Sequence, residues 1–81
     1  MEIKITKVSE TKEETLNGDN VLCTIEFTAS EGNVSDAGIA QGRFDKDTLE
    51  DIQIYLDNGN LEVSDEMINY FKAEMLTLHL R

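Results

Sequence analysis

The sequence contains one histidine and one cysteine, the side-chain types that most readily act near neutral pH as a general base and a nucleophile. His79 falls in the last turn of the final predicted helix, between Leu78 and Leu80, and no second base is near it in the sequence. The partial negative charge at the C-terminus of a helix favours an imidazolium ion. We therefore expect His79 to stabilise the end of the helix and not to act as a catalyst.

Cys23, the only cysteine, falls on the inward side of the clearest predicted strand. A nucleophilic thiolate needs an electropositive and partly exposed position, and no basic residue is close to Cys23 in the chain. A free cysteine is most often a small buried hydrophobe, so we expect Cys23 to be part of the core. A single thiol also excludes a disulfide framework and a cysteine zinc cluster.

Acidic residues raise the question of a metal site. Asp45-Lys46-Asp47 begins like a calcium-binding loop, but Leu49 stands where a third ligand belongs, and the later glycine and glutamate are missing. The glycines form no phosphate-binding pattern, and 81 residues leave little room for a catalytic cleft. The sequence predicts no enzymatic activity, no catalytic residue, no metal site and no cofactor. Weak surface binding of magnesium or calcium is the alternative left open.

The first half of the sequence has the period-two pattern of β-strands. Ile3 and Ile5 alternate with polar residues, and the clearest strand covers 21–29, with its odd-numbered residues toward the core. A third strand is predicted over 34–44. Its inward face carries Gly38, Ala40, Gly42 and Phe44. Two glycines on that face permit close approach of another element, such as a helix.

The connection between the first two strands leaves two alternatives. Asn17-Gly18 is a type I′ hairpin signal, and a two-residue turn there places Val8 opposite Phe27. That register puts the first isoleucines on the wrong face, because a shift of one residue exchanges the two faces of a strand. A β-bulge between Ile5 and Val8 reconciles both ends and is the preferred interpretation. A long polar loop over residues 9–20 is the other.

The second half of the sequence predicts two helices. Asp47 with Glu50 gives a capping-box-like start to the first helix, and Asn58-Gly59 gives it a left-handed stop. Its apolar residues at helical spacing are Leu49, Ile52, Tyr55 and Leu56. Ser64 is the predicted N-cap of the second helix. Its apolar stripe is Ile68, Phe71, Met75 and Leu78.

The predicted fold class is therefore α+β, with the element order β-β-β-α-α. A three-stranded antiparallel β-meander carries two helices on one face, and residues 1–81 form one compact acidic domain.

The chain has a net charge of −10, from 17 acidic and 7 basic residues. This balance argues against binding to nucleic acid or to an anionic membrane, because both need surplus Lys and Arg. The stretches 13–42 and 47–71 contain acidic residues and no Lys or Arg. The second stretch supplies a candidate partner-binding surface, the acidic face. It consists of Asp47, Glu50, Asp51, Asp57, Asp65 and Glu66.

Some of the first four residues of the acidic face are expected to share the outer side of the first predicted helix, and the last two to extend that edge from the second helix. The alternative interpretation of these charges is a solvated surface that only keeps the protein soluble.

In size, acidity and α+β plan, the chain resembles the DNA-mimic and anti-CRISPR inhibitors of phages and other mobile elements. The resemblance is one of composition, carries no motif and transfers no residue roles. It implies a non-catalytic inhibitor or regulator that engages a basic, nucleic-acid-handling protein, because fixed carboxylates can imitate the charges of a nucleic-acid backbone. The alternative function is a small phage or accessory assembly subunit that self-associates through a sheet edge.

The hydropathy pattern favours a cytoplasmic protein with no membrane contact, and the resemblance to phage inhibitors implies a bacterial host cell. The first seven residues alternate in polarity, unlike a signal peptide. The longest nearly apolar stretch, residues 21–25, is far shorter than the ~20 residues that span a bilayer. A monomer or a small homo-oligomer is expected.

Overall fold

The structure is a computed structural model that describes residues 1–15 and 18–80, with side chains described for 1–13 and 20–80. Its elements are β1 (Glu2–Thr15), β2 (Gly18–Glu31), β3 (Val34–Asp45), β4 (Thr48–Leu56) and α1 (Asp65–His79). The four strands form one antiparallel sheet in the order β1-β2-β3-β4, so each strand pairs with its neighbour in sequence. One face of the sheet packs against α1, and we call the opposite face the open face.

The prediction of three strands and two helices was wrong. The described part of the chain has four strands and one helix, although it keeps the α+β character. The period-two segments of the first half are strands as expected, and the helix begins where Ser64 predicted. The segment 48–56, expected to be a helix, is the strand β4.

A β-bulge explains why β4 has the apolar spacing of a helix. Arg43 pairs with Asp51 but Phe44 pairs with Leu49, so Glu50 is an extra residue on β4. A bulge places two residues on one strand opposite one on its partner. Leu49 and Ile52 therefore both turn toward α1 although they are three residues apart. Beyond the bulge the period of two returns, and the half-buried residues are Ile52, Ile54 and Leu56.

The ribbon of β1 and β2 contains the predicted bulge. The register shifts between Ile5 and Lys7. Residues 9–15 pair with residues 18–24, which rules out the long-loop alternative. The predicted alignment of the two strands was wrong by two residues, because Val8 pairs with Ile25 and not with Phe27. Asn17 of the predicted hairpin turn lies outside the described residues.

The core lies between the sheet and α1. Its fully buried side chains include Cys23, Ile25 and Phe27 of β2, Phe44 of β3, and Met67, Phe71 and Met75 of α1. The ring centroids of Phe27 and Phe71 are 4.5 Å apart, which fixes the middle of the helix over β2. A Cβ atom on Gly42 would collide with Sδ of Met75, so this glycine lets the helix approach β3 closely, as its position predicted.

Candidate functional site

The acidic face follows an edge strand and not a helix. Asp47 lies in the β3–β4 turn, Glu50 is the bulged residue of β4, and Asp57 follows β4 directly. Asp51 lies on the open face, paired in register with Arg43. The expectation that these residues share the outer side of a helix was wrong, because the segment is extended. All four are exposed.

The other two residues of the acidic face lie where the sequence predicted. Asp65 and Glu66 occupy the first turn of α1 and are exposed. Ser64 caps this turn, since its Oγ accepts a hydrogen bond from the backbone N–H of Met67 at 3.3 Å. Because α1 ends with His79 against Lys46, the helix runs back along β4. Its acidic first turn therefore lies at the end of the sheet where β4 finishes.

Basic residues from outside the stretch 47–71 lie beside the acidic face in space. Lys72 of α1 lines the same groove as Glu50 and Asp51. Arg43 lies across from Asp51, and its Nε is 3.7 Å from Oε2 of Glu13 on β1. The absence of Lys and Arg from residues 47–71 therefore overstated how free the acidic face is of positive charge. Pairing of β3 with β4 places Arg43 beside Asp51. Packing of α1 on the sheet places Lys72 in the same groove as Glu50 and Asp51.

A groove separates the edge of β4 from α1. It has a volume of about 260 Å³ and we call it the β4–α1 groove. Its lining residues are Leu49, Glu50, Asp51, Ile52, Ile68, Asn69 and Lys72. The three aliphatic side chains are half-buried and form the floor, and the charged residues are exposed at the rim. The sequence pattern alone does not reveal this groove, because the groove depends on β4 being a strand beside the helix.

His79 is part of the fold at this end of the molecule. Its Nε2 lies 2.6 Å from the carbonyl oxygen of Lys46 and 3.7 Å from Oδ1 of Asp47. Its ring stacks on Phe44 with the centroids 4.0 Å apart. His79 therefore joins the end of α1 to the β3–β4 turn, a more extensive role than the terminal one expected of it.

Cys23 is fully buried on the core side of β2, as predicted. Burial raises the pKa of the Cys23 thiol, and the carboxylate of Glu10 raises it further. Both effects oppose formation of the thiolate, which is the reactive form. The geometry thus gives Cys23 the properties of a core residue.

Asp36 is a buried carboxylate that the sequence analysis missed, with only 5% of its surface exposed. Its Oδ1 accepts hydrogen bonds from the backbone N–H groups of Ala37 and Asn58 and from Nδ2 of Asn58, and Oδ2 accepts one from the N–H of Asn60. Burial would raise the pKa of Asp36, but these hydrogen bonds outweigh it and hold the pKa below its usual value. The carboxylate fixes the loop between β4 and α1.

A signal for Asp36 was present in the sequence, because its even residue number places it with Gly38 and Phe44 on the inward face of β3.

Within residues 1–15 and 18–80, no group of three or more His, Cys, Asp or Glu side chains is arranged to hold a metal ion.

The chain matches no known family model, no curated protein and no solved structure. Among the described residues, no helix combines the length and the apolar character needed to cross a membrane. The candidate site therefore rests on the physical chemistry of the acidic face and the β4–α1 groove.

Proposed function

We propose that this chain is a non-catalytic protein-binding module, an inhibitor or regulator of the DNA-mimic or anti-CRISPR-like type that engages a basic, nucleic-acid-handling protein. The observation that carries the proposal is the exposure of all six carboxylates of the acidic face, four of which follow the edge strand β4. An exposed row of carboxylates on a rigid strand attracts Lys and Arg side chains and increases the rate of association.

The charge density of the acidic face defines how far it can imitate a nucleic acid. Asp47 and Asp57 are ten residues apart, which corresponds to at most ~33 Å along an extended strand. A single DNA strand places about ten phosphates over that length, whereas Asp47, Glu50, Asp51 and Asp57 supply four carboxylates. The acidic face is therefore a sparse mimic. It steers a basic partner, and tight binding requires a further contact.

The experiment compares proteins captured from a bacterial lysate by the wild-type chain and by the double variant Glu50→Lys/Asp51→Lys, at low and high salt. We expect the wild type to retain basic nucleic-acid-binding proteins, and added duplex DNA to release them by competing for the same site. High salt should also release them, because the screening length falls from ~8 Å at physiological ionic strength to ~3 Å at 1 M. The double variant should retain far less.

The matched control is Glu2→Lys/Glu31→Lys, which changes the charge equally at exposed positions away from β4. It should retain the same proteins as the wild type. If both double variants lose the captured proteins equally, the effect depends on net charge alone. If duplex DNA does not release the captured proteins from the wild-type chain, the DNA-mimic proposal is refuted.

The alternative function, an accessory subunit that self-associates through a sheet edge, is favoured by the length of β1. This edge strand has 14 residues. However, β1 carries a bulge between Ile5 and Lys7 and three lysines, and natural edge strands use both features to prevent pairing. Sedimentation over a wide concentration range distinguishes the two functions, since only the assembly subunit gives a mass that rises with concentration.

A further inference from the structure

Beyond the bulge at Glu50, β4 pairs regularly with β3 from Asp51 to Leu56, and the outer edge of this regular part is free to accept another strand. In the part of the chain that the structure describes, β4 pairs with β3 on one side only, and no backbone hydrogen bond joins it to α1. An edge strand presents unpaired N–H and C=O groups that can pair with an extended segment. Addition of a strand to such an edge is a common mode of peptide recognition.

The β4–α1 groove lies beside this edge and suits side chains of an added strand. Its volume of about 260 Å³ is below the ~300–1,000 Å³ of small-molecule pockets. Its floor is formed by the half-buried Leu49, Ile52 and Ile68. The groove therefore fits one or two apolar side chains of a longer ligand better than an entire small molecule.

The open face next to the same edge of β4 suits a basic side chain of an added strand and not an apolar one. There β4 presents Asp51, Gln53 and Tyr55, and Tyr55 is 54% exposed. A Lys or Arg side chain on an added strand can pair with the Asp51 carboxylate and lie over the ring of Tyr55. Because side chains alternate between the two faces of a strand, one partner strand can meet both demands only if apolar and basic residues alternate.

We propose that the edge of β4 binds, as a fifth strand, an extended segment of a partner protein in which basic and apolar residues alternate. The apolar residues enter the β4–α1 groove, and the basic residues lie over Asp51 and Tyr55. This inference rests on the proposed function and supplies the contact that the sparse charges of the acidic face lack.

The test uses a fluorescent peptide in which four lysines alternate with four valines, capped at both ends, in anisotropy titrations with the wild-type protein at low salt. Two peptides serve as controls. One has the same composition in two blocks, all lysines before all valines, and the other is the alternating peptide N-methylated at every residue, which removes the N–H donors along both sides. We expect each control to bind at least about tenfold more weakly than the alternating peptide. Hydrogen exchange should slow at the amides of β4 when the alternating peptide binds.

A substitution in the β4–α1 groove provides a second, independent test of the proposal. Asn69→Trp places a large side chain at the groove, while Thr77→Trp makes a similar change at an exposed position of α1 outside it. Asn69→Trp should weaken binding of the alternating peptide at least about tenfold, and Thr77→Trp should leave this binding unchanged. Because the N-methylated peptide is tested on the wild-type protein, the inference can fail even if Asn69→Trp does not fold.

The outcomes separate this inference from the proposed function. If the block and alternating peptides bind equally and Glu50→Lys/Asp51→Lys weakens both, the acidic face acts by charge alone, and the strand-addition proposal is overturned. If neither peptide binds and the double variant captures the same lysate proteins as the wild type, both proposals fail. If the amides of β4 become protected with rising protein concentration alone, the occupant is a second copy, and the partner assignment is overturned.

Discussion

His79 donates a hydrogen bond from Nε2 to the carbonyl oxygen of Lys46, at 2.6 Å, across 33 residues of sequence. A carbonyl oxygen can only accept, so Nε2 must carry the proton. Lys46 has a positive φ of 55°, which is uncommon for a residue with a side chain. The contact therefore links the end of α1 to a turn whose backbone conformation is unusual.

The first prediction concerns this contact. His79→Ala should lower the free energy of unfolding by about 2 kcal/mol, because it removes a hydrogen bond and the stacking on Phe44. Urea melts measure the change. Thr77→Ala, on the exposed side of the same helical turn, is the control and should change stability by less than ~0.5 kcal/mol. Equal effects of the two substitutions would contradict the role of His79.

The second prediction concerns the start of α1. Ser64→Ala should cost about 1 kcal/mol through the lost N-cap, and Phe71→Ala should cost ~3–5 kcal/mol through the cavity it leaves against Phe27. Thermal or urea unfolding monitored by circular dichroism gives both values. Similar and negligible losses at the two positions would be incompatible with the packing of α1 on the sheet.

The third prediction concerns Asp36 and acid. The hydrogen bonds from Asn60, Asn58 and Ala37 hold its pKa below the usual ~3.9. A lowered pKa in the folded state gives stability that is present above the unfolded value and is lost as the pH falls through the folded value. Asp36→Asn should therefore lower the melting temperature at pH 7, and this difference from wild type should shrink below pH ~4.

Melting temperatures from pH 3 to 7 test the prediction for Asp36. Asp57→Asn, an exposed aspartate in the same loop region, is the control and should follow the wild-type profile. A constant difference between Asp36→Asn and wild type over this range would show that the ionised carboxylate is not what stabilises the loop.

The fourth prediction concerns Cys23. Because the thiol is buried and its pKa is raised, a thiol reagent should label it slowly in native buffer and quickly in denaturant. A raised pKa in the folded state gives stability that is present below the unfolded value of ~8.5 and is lost as the pH rises through the folded value. Cys23→Ala should flatten this alkaline loss. Rapid labelling of the native protein would reopen a catalytic role.

The fifth prediction concerns the contact between β3 and α1. Gly42→Ala should destabilise the protein by about 1–3 kcal/mol, because the added Cβ collides with Met75 and would lie 3.0 Å from Cδ1 of Leu49. Met75→Ala alone should also be destabilising, through the cavity it leaves. The double variant should be more stable than the sum of the two changes implies, which a double-mutant cycle measures. Simple additivity would mean that the two residues do not compete for space.

Periodicity predicted most of the fold because β2 and β3 have uninterrupted alternation and Ser64 gives α1 a clear start. It failed at β4, where the extra residue Glu50 produces a spacing of three between Leu49 and Ile52. Local pattern cannot distinguish a bulged strand from a helical turn when the bulge falls between two apolar residues. The pairing with β3 decides the outcome, and that is information from distant residues.

The exposure of the six carboxylates of the acidic face was predictable from the sequence, but their arrangement in space was not. The six exposed carboxylates follow from composition, since charged residues are almost always on the surface. The arrangement along an edge strand, the nearby Lys72 and the β4–α1 groove depend on which elements pack together. Asp36 illustrates the same limit of sequence-based prediction. Its even residue number places it on the inward face of β3, but its hydrogen-bond partners Asn58 and Asn60 lie in a loop whose conformation cannot be predicted from hydrophobic periodicity.

The strand order β1-β2-β3-β4 also has a kinetic consequence. Each strand pairs only with its neighbour in sequence, so the sheet can form by successive hairpins with short loop closures, which favours rapid folding. The core side chains of α1 pack against side chains of more than one strand, so the complete docking surface of the helix exists only once these strands have paired. Until the helix docks, the aromatic side chains of Phe27 and Phe44 face water, and this interval is the period in which the protein is most prone to aggregate.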